Sequence, residues 1–364
     1  MFNLERFPPF QPPAWLRNGH AQTMAGVFPS AVKRHVVAVP HHIALPDGDA
    51  LVLHDDLPAN WELGDRVLLL IHGLAGSHAS ACVRRIAHKA CNAGIRALRL
   101  DLRGCGAGAN HARHAAHSGC WHDIGTAIAA VAQLCPNSPV AAVGFSLGGN
   151  LLLNWLGEEG ATRHAPIDAG LAVCPPIDLT IAADNLRRKR RRFYDRLLTR
   201  RLLKQVARHM QLRPDATCFN GQRPPRNMLE VDAYYTVAVG GYRDTADYYQ
   251  SASPLSRLPR ITCPTGIVAA ADDPLVPAHM FRDLKTSDAV QTVILRHGGH
   301  LGFIGRRGVD PDRYWLDWRV LEWVQGMPKR LPPPAEEVRR ESIVTTTTRS
   351  MMRGYSASAK AGAE

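Results

Sequence analysis

Between Arg66 and Cys174 short apolar runs alternate with amphipathic stretches, and nothing else in the chain limits its folding so strongly. Arg66–His72 is an apolar run closed by Gly73, the pattern of a strand buried on both faces. Residues 78–92 carry Ala81, Val83, Ile86, Ala87 and Ala90 at helical spacing, and Gly94 ends them. Ile95–Asp101 repeats the strand pattern and His122–Leu134 the helical one. Pro139–Val143, Leu147–Leu156 and Ala169–Cys174 continue the series up to Pro175-Pro176. Such repetition predicts βαβ units, hence an α/β fold with a mostly parallel sheet and helices on both faces.

The alternation stops near residue 177 and returns at Ile261. The intervening stretch is first helical and basic, then polar with Tyr234, Tyr235, Tyr242, Tyr248 and Tyr249. An excursion between consecutive strands of such a sheet predicts a helical lid over the strands' carboxyl ends, at about residues 177–257. Ile261–Ala269 and Val290–Leu295 read as the last strands, followed by a helix bearing Trp315, Trp318 and Trp323. Ahead of the parallel unit, His42–His54 reads as a hairpin turning at Asp47-Gly48. The expected organisation is an amino-terminal segment (1–40), a main domain (41–326) with the lid, and a disordered tail (327–364) rich in Pro, Ser, Thr and Ala.

With 45% hydrophobic and 21% charged residues among 364, the chain is neither disordered, fibrous nor a disulfide miniprotein. No apolar run is long enough to span a bilayer, and the opening MFNLERFPPFQPPAW lacks the apolar stretch of a signal peptide. The expected compartment is therefore the cytoplasm, where eight cysteines without a CxxC pair read as small buried side chains. The net charge of +12 is local. Arg187–Arg213 contains 12 Lys or Arg against Asp195 alone, while the rest of the chain holds 32 basic and 31 acidic side chains.

Gly144-Phe145-Ser146-Leu147-Gly148 lies directly after a predicted strand and before a predicted helix, the setting of a nucleophile elbow. A serine on so tight a turn projects its hydroxyl outward, and the new helix's amino end favours negative charge. A serine hydroxyl needs a base, and the base an orienting acid; in such a sheet they follow in the order Ser, Asp, His. Ala269-Ala-Ala-Asp272-Asp273-Pro274 and Arg296-His297-Gly298-Gly299-His300 end successive strands. His300 is the preferred base with His297 in reserve; Asp273 is the preferred acid with Asp272 as competitor. Both aspartates could instead cap local turns. The loop His72–Ser77 should supply a second oxyanion donor, so that Leu74 N–H pairs with Leu147 N–H, while His72 itself reads as structural.

Together these residues resemble the α/β-hydrolase superfamily and, within it, the YheT-like subfamily of hydrolases. The subfamily likeness rests on Pro13-Ala-Trp15-Leu-Arg-Asn18-Gly19-His20-Ala-Gln22-Thr23, on Arg103-Gly104, and on Gly144–Asn150. The resemblance spans about residues 40–326 and, through the first motif, reaches back to about residue 12. It implies hydrolysis of carboxylic esters, with medium-chain acyl or lipid esters as the class, and carries the triad onto Ser146, Asp273 and His300. The basic insertion and the long tail depart from the family pattern. An acyl-enzyme cleaved by water needs no cofactor. Acyl transfer to an alcohol, or a non-catalytic scaffold binding anionic lipid, are the alternatives.

Other motifs point less strongly to chemistry. Gly104-Cys-Gly-Ala-Gly108 mimics a dinucleotide loop but lacks its spacing and position. His111, His114, His117, Cys120 and His122 match no zinc pattern, so no metal is expected; they read as a mobile polar loop near the site mouth. His20 and Gln22 either line the site or pack the amino-terminal segment. Arg187–Arg213 reads as a solvated lid face or as a peripheral contact with anionic membrane at its inner face, with Phe193, Leu197, Leu198, Leu202 and Leu203 as an apolar counterpart. Nucleic acid is not expected, because aromatics are not interleaved with the charges.

Overall fold

A computed structural model describes residues 7–27, 38–160, 165–213, 215 and 223–328. Eight strands form one sheet in the order β1-β2-β4-β3-β5-β6-β7-β8. The hairpin β1 (Val39–Ala44) and β2 (Ala50–Asp56) adds antiparallel to β4 (Arg96–Asp101). β3 (Val67–Ile71), β5 (Val140–Phe145), β6 (Ala169–Val173), β7 (Thr265–Ala270) and β8 (Val290–Leu295) complete a parallel array with β4. β3 to β7 are buried along their whole length, as two-sided packing by helices requires.

One apolar layer joins α3 (His122–Leu134) and α4 (Leu147–Glu158) to the sheet; the other joins α2 (Ala81–Asn92) and α10 (Trp315–Gln325). Buried Arg85 of α2 pairs with Asp317 of α10 at 2.9 Å, tying the second layer together. The helical pattern expected from residue 78 starts at Ala81, because Ser80 Oγ accepts from Ser77 N–H and closes a turn there. The strand expected from Ile261 starts at Thr265. Pro264 has no N–H to give a ladder, and its carbonyl accepts from Gly170 N–H instead.

The insertion between β6 and β7 is mainly helical where it is described. It contains α5 (Leu179–Arg187), α6 (Arg192–Leu212), α7 (Met228–Val231), a π-helical turn (Asp232–Thr236), α8 (Val237–Gly240) and α9 (Thr245–Ala252). At the amino end, α1 (Gly19–Val27) lies against the loops after β7 and β8. Apart from residues 327 and 328, the expected tail lies outside the described residues.

Candidate active site

Ser146 stands between β5 and α4 with φ 51° and ψ −114°, a strained backbone that holds the side chain out of the turn. The flanking glycines permit it. A Cβ at Gly144 would lie 2.3 Å from the Gly148 carbonyl oxygen, and one at Gly148 would lie 2.4 Å from that of Ile71. Ser146 Oγ is 2.9 Å from His300 Nε2, and His300 Nδ1 is 2.8 Å from Asp273 Oδ2. Three loops, after β5, β7 and β8, thus bring together the serine, acid and base preferred from the sequence. A hydroxyl, an imidazole and a carboxylate so arranged can pass a proton from the nucleophile and hold the ring in one tautomer.

The two aspartates divide the work. Asp273 Oδ1 accepts from the N–H groups of Leu275 and Val276, so this carboxylate both caps its turn and holds His300. Asp272 Oδ1 accepts from Gly299 N–H at 2.8 Å, and its other oxygen lies 3.5 Å from His297 Nδ1. The reserve pair therefore faces itself, beside the main one.

Leu74 and Leu147 line the same cavity as Ser146 and His300, and among the described residues neither N–H has an acceptor. The Leu74 loop is anchored at its far end by buried Asp101. Its Oδ1 accepts from His78 N–H at 2.7 Å, while Oδ2 meets His78 Nδ1 at 2.6 Å and His54 Nε2 at 2.9 Å. Burial works against the Asp101 charge, but these hydrogen bonds prevail and hold the carboxyl well below its usual range. His72 is buried beside the loop. Its Nδ1 meets the Gly73 carbonyl and its Nε2 accepts from Leu102 N–H, a bonding pattern that leaves it no route to substrate.

The amino-terminal motif meets the backbone of His300 rather than lining the site with His20 or Gln22. Gln22 is buried and clamps Leu16 and Ile304, whereas His20 meets Tyr194 and Arg191 at the surface. The residue that matters is Thr23, whose Oγ accepts from His300 N–H at 2.8 Å. Gly19 allows the approach: a Cβ there would lie 1.9 Å from the Asp272 carbonyl oxygen.

The cavity above Ser146 measures about 420 Å³, within the range of small-molecule sites. Its walls are mainly apolar, from Leu74, Leu179, Leu186, Leu197, Leu198, Leu202, Met228 and Val276. The packing overturns two expectations. Leu197, Leu198 and Leu202 line the cavity and do not back the basic face, whose helix exposes Phe193, Met210 and Leu212 instead. The His-rich loop, expected to be polar, is packed in its middle, where Ala115, Ala116, His117 and Ser118 are buried. Tyr235 Oη accepts from Ala115 N–H and Tyr248 Oη from Ser118 N–H, and α6 adds hydrogen bonds from His209 to the Ala112 carbonyl and from Gln205 to the Gly104 carbonyl. His117 is buried, and burial, with His114 and Arg103 nearby, pulls its pKa down to about 3. His114, His117 and Cys120 each bring a donor atom within 4.8 Å of the others, but the Arg103 guanidinium already sits 3.1 Å from His114 Nε2.

The alpha/beta hydrolase family profile matches residues 68–315. The Escherichia coli (strain K12) protein named "Putative esterase YheT" is 32% identical over 86% of this chain and 92% of its own length. Human phospholipase ABHD3 is 26% identical over 87% of this chain and 79% of its own length. The monoacylglycerol lipase of Saccharomyces cerevisiae is 28% identical over 70% and 58%. Among solved structures, the alpha/beta hydrolase GrgF from a Penicillium species superposes with a TM-score of 0.51 at 19% identity, covering 80% of this chain and 98% of that one. That likeness is one of fold.

Proposed function

The chain belongs to the alpha/beta hydrolase family, as a YheT-like member, and on that premise we propose that it is a serine-dependent carboxylic-ester hydrolase working through an acyl-enzyme. Relatives named as esterases and lipases support hydrolysis of esters. The observation that carries the finer reading is the Ser146–His300–Asp273 relay opening on an apolar cavity.

In this mechanism Ser146 attacks the ester carbonyl while His300 takes its proton. The Leu74 and Leu147 N–H groups stabilise the oxyanion, Asp273 stabilises the imidazolium, and His300 returns the proton to the leaving alcohol. Water, activated by the same imidazole, then releases the acid and regenerates Ser146. The apolar walls suit short- to medium-chain acyl groups or lipid esters, because each buried methylene contributes about 0.8 kcal/mol. A fluorophosphonate probe should label the protein once and leave the Ser146→Ala variant unlabelled; continued labelling of that variant would reject the assignment.

The basic segment supports a further part of this reading, peripheral contact with anionic membrane. Arg187, Arg188, Lys189, Arg190, Arg192, Arg196, Arg200, Arg201, Lys204 and Arg208 are all exposed on α5, α6 and their connection. Phe193 is exposed among them, and Arg201 also lines the cavity. No helix among the described residues is long and apolar enough to cross a membrane.

A further inference from the structure

The cavity that opens on Ser146 and His300 also receives a carboxyl that the mechanism above does not use. Asp232 begins the π-helical turn of the lid, a kind of helical irregularity that recurs at functional sites. The protein encloses it, yet it keeps accessible surface because it borders the cavity. Oδ2 accepts from Tyr249 Oη at 2.8 Å and Oδ1 from Thr236 Oγ at 3.0 Å. A carboxylate offers about four acceptor positions, so these two donors leave about half of them open.

Among the described residues no cation pairs with Asp232, and burial pushes its pKa up to about 6 against the two hydroxyls. In a mainly apolar wall such a group costs stability unless something fills its open positions. An ammonium would have to shed its hydration shell against apolar side chains, whereas a hydroxyl enters at far lower cost and donates one hydrogen bond.

We infer that Asp232 is a specificity-determining residue whose carboxylate accepts a hydrogen bond from a hydroxyl group of the ester substrate. The inference rests on the ester-hydrolase reading of the same cavity. The hydroxyl can belong to the acyl chain or to the alcohol, and the chemistry at Asp232 is the same for both. A site built around such a bond rejects analogues that lack the hydroxyl, because a polar group is then left buried and unpaired.

The test compares three esters of one acyl length: ethyl decanoate, ethyl ω-hydroxydecanoate and the hydroxyethyl ester of decanoic acid. Wild-type kcat/KM should favour at least one hydroxylated ester over ethyl decanoate by about tenfold or more, and which one identifies the side that carries the hydroxyl. Asp232→Asn should reduce that ratio toward one. Thr236→Val, which frees Oδ1 while keeping the carboxylate, should keep the preference. No preference in the wild type would overturn the inference, whether or not the Asn variant folds. So would an equal loss on all three esters in Asp232→Asn, or loss of preference in Thr236→Val. Turnover without preference rejects this subsite alone. No turnover of any ester, together with no fluorophosphonate labelling, rejects the hydrolase reading and the subsite with it.

Discussion

Asp273 serves two neighbours through separate oxygens, one on its own turn and one on His300. Asparagine at this position keeps Oδ1 for the turn and loses the charge that orients and stabilises the imidazolium. Asp273→Asn should therefore stay folded and lose about four orders of magnitude in kcat, by the precedent of other triads. Asp272→Asn, which changes only the group facing Gly299 and His297, should cost far less. Steady-state kinetics on a nitrophenyl ester distinguish them, and a crippled Asp272→Asn would reverse the assignment. In the proposed mechanism Thr23 would position His300 in the same way. Thr23→Val leaves His300 N–H without its acceptor, and about 1–3 kcal/mol of lost positioning predicts a kcat lower by roughly fivefold to a hundredfold. Restoration by Thr23→Ser would separate the lost hydroxyl from a general packing defect.

At the scale of elements, α6 and the loop from Gly104 to Cys120 hold one another, with His117 enclosed between the loop and the lid tyrosines. Its pKa, lowered by burial to about 3, sets the sign of a pH effect. The native state keeps His117 neutral, while the unfolded chain takes up a proton below about 6.5. Its contribution is therefore fully present above pH 6.5 and is lost as pH falls toward 3. Between pH 7.5 and 5 this one group should remove on the order of 2 kcal/mol. Denaturant midpoints at the two pH values should differ more for the wild type than for His117→Gln, and equal differences would contradict the account.

For the whole molecule, net charge and shape act together. The excess charge lies on one exposed face of the lid, beside the cavity that α6 also walls. Each basic side chain near an anionic surface contributes about 1 kcal/mol, and the attraction decays over roughly 8–10 Å in physiological salt. Sedimentation should recover the protein with anionic vesicles and not with zwitterionic ones, less as salt rises, and less when Arg187–Arg192 is neutralised. Because Leu197, Leu198 and Leu202 line the cavity, charge should dominate this binding and high salt should release it. Equal recovery with both vesicle types would defeat the proposal.

Features that depend on near neighbours in the chain are legible without the fold. Strand and helix periods sit within single segments, and the elbow around Ser146 is set by glycines two residues away on either side. The relay was legible to the same extent, since loops at the ends of parallel strands converge on one edge of the sheet. Tertiary structure decided the rest. Whether Asp272 or Asp273 meets His300 depends on the directions of adjacent side chains in a turn, and the loop after β8 takes one with Gly299 and the other with His300. The His-rich loop looked polar because its partners, Tyr235 and Tyr248, lie more than a hundred residues away in the chain. Leu197, Leu198 and Leu202 look available to a membrane for the same reason. A helix's periodicity defines its apolar face, but only the packed fold decides whether that face meets solvent, lipid or a cavity.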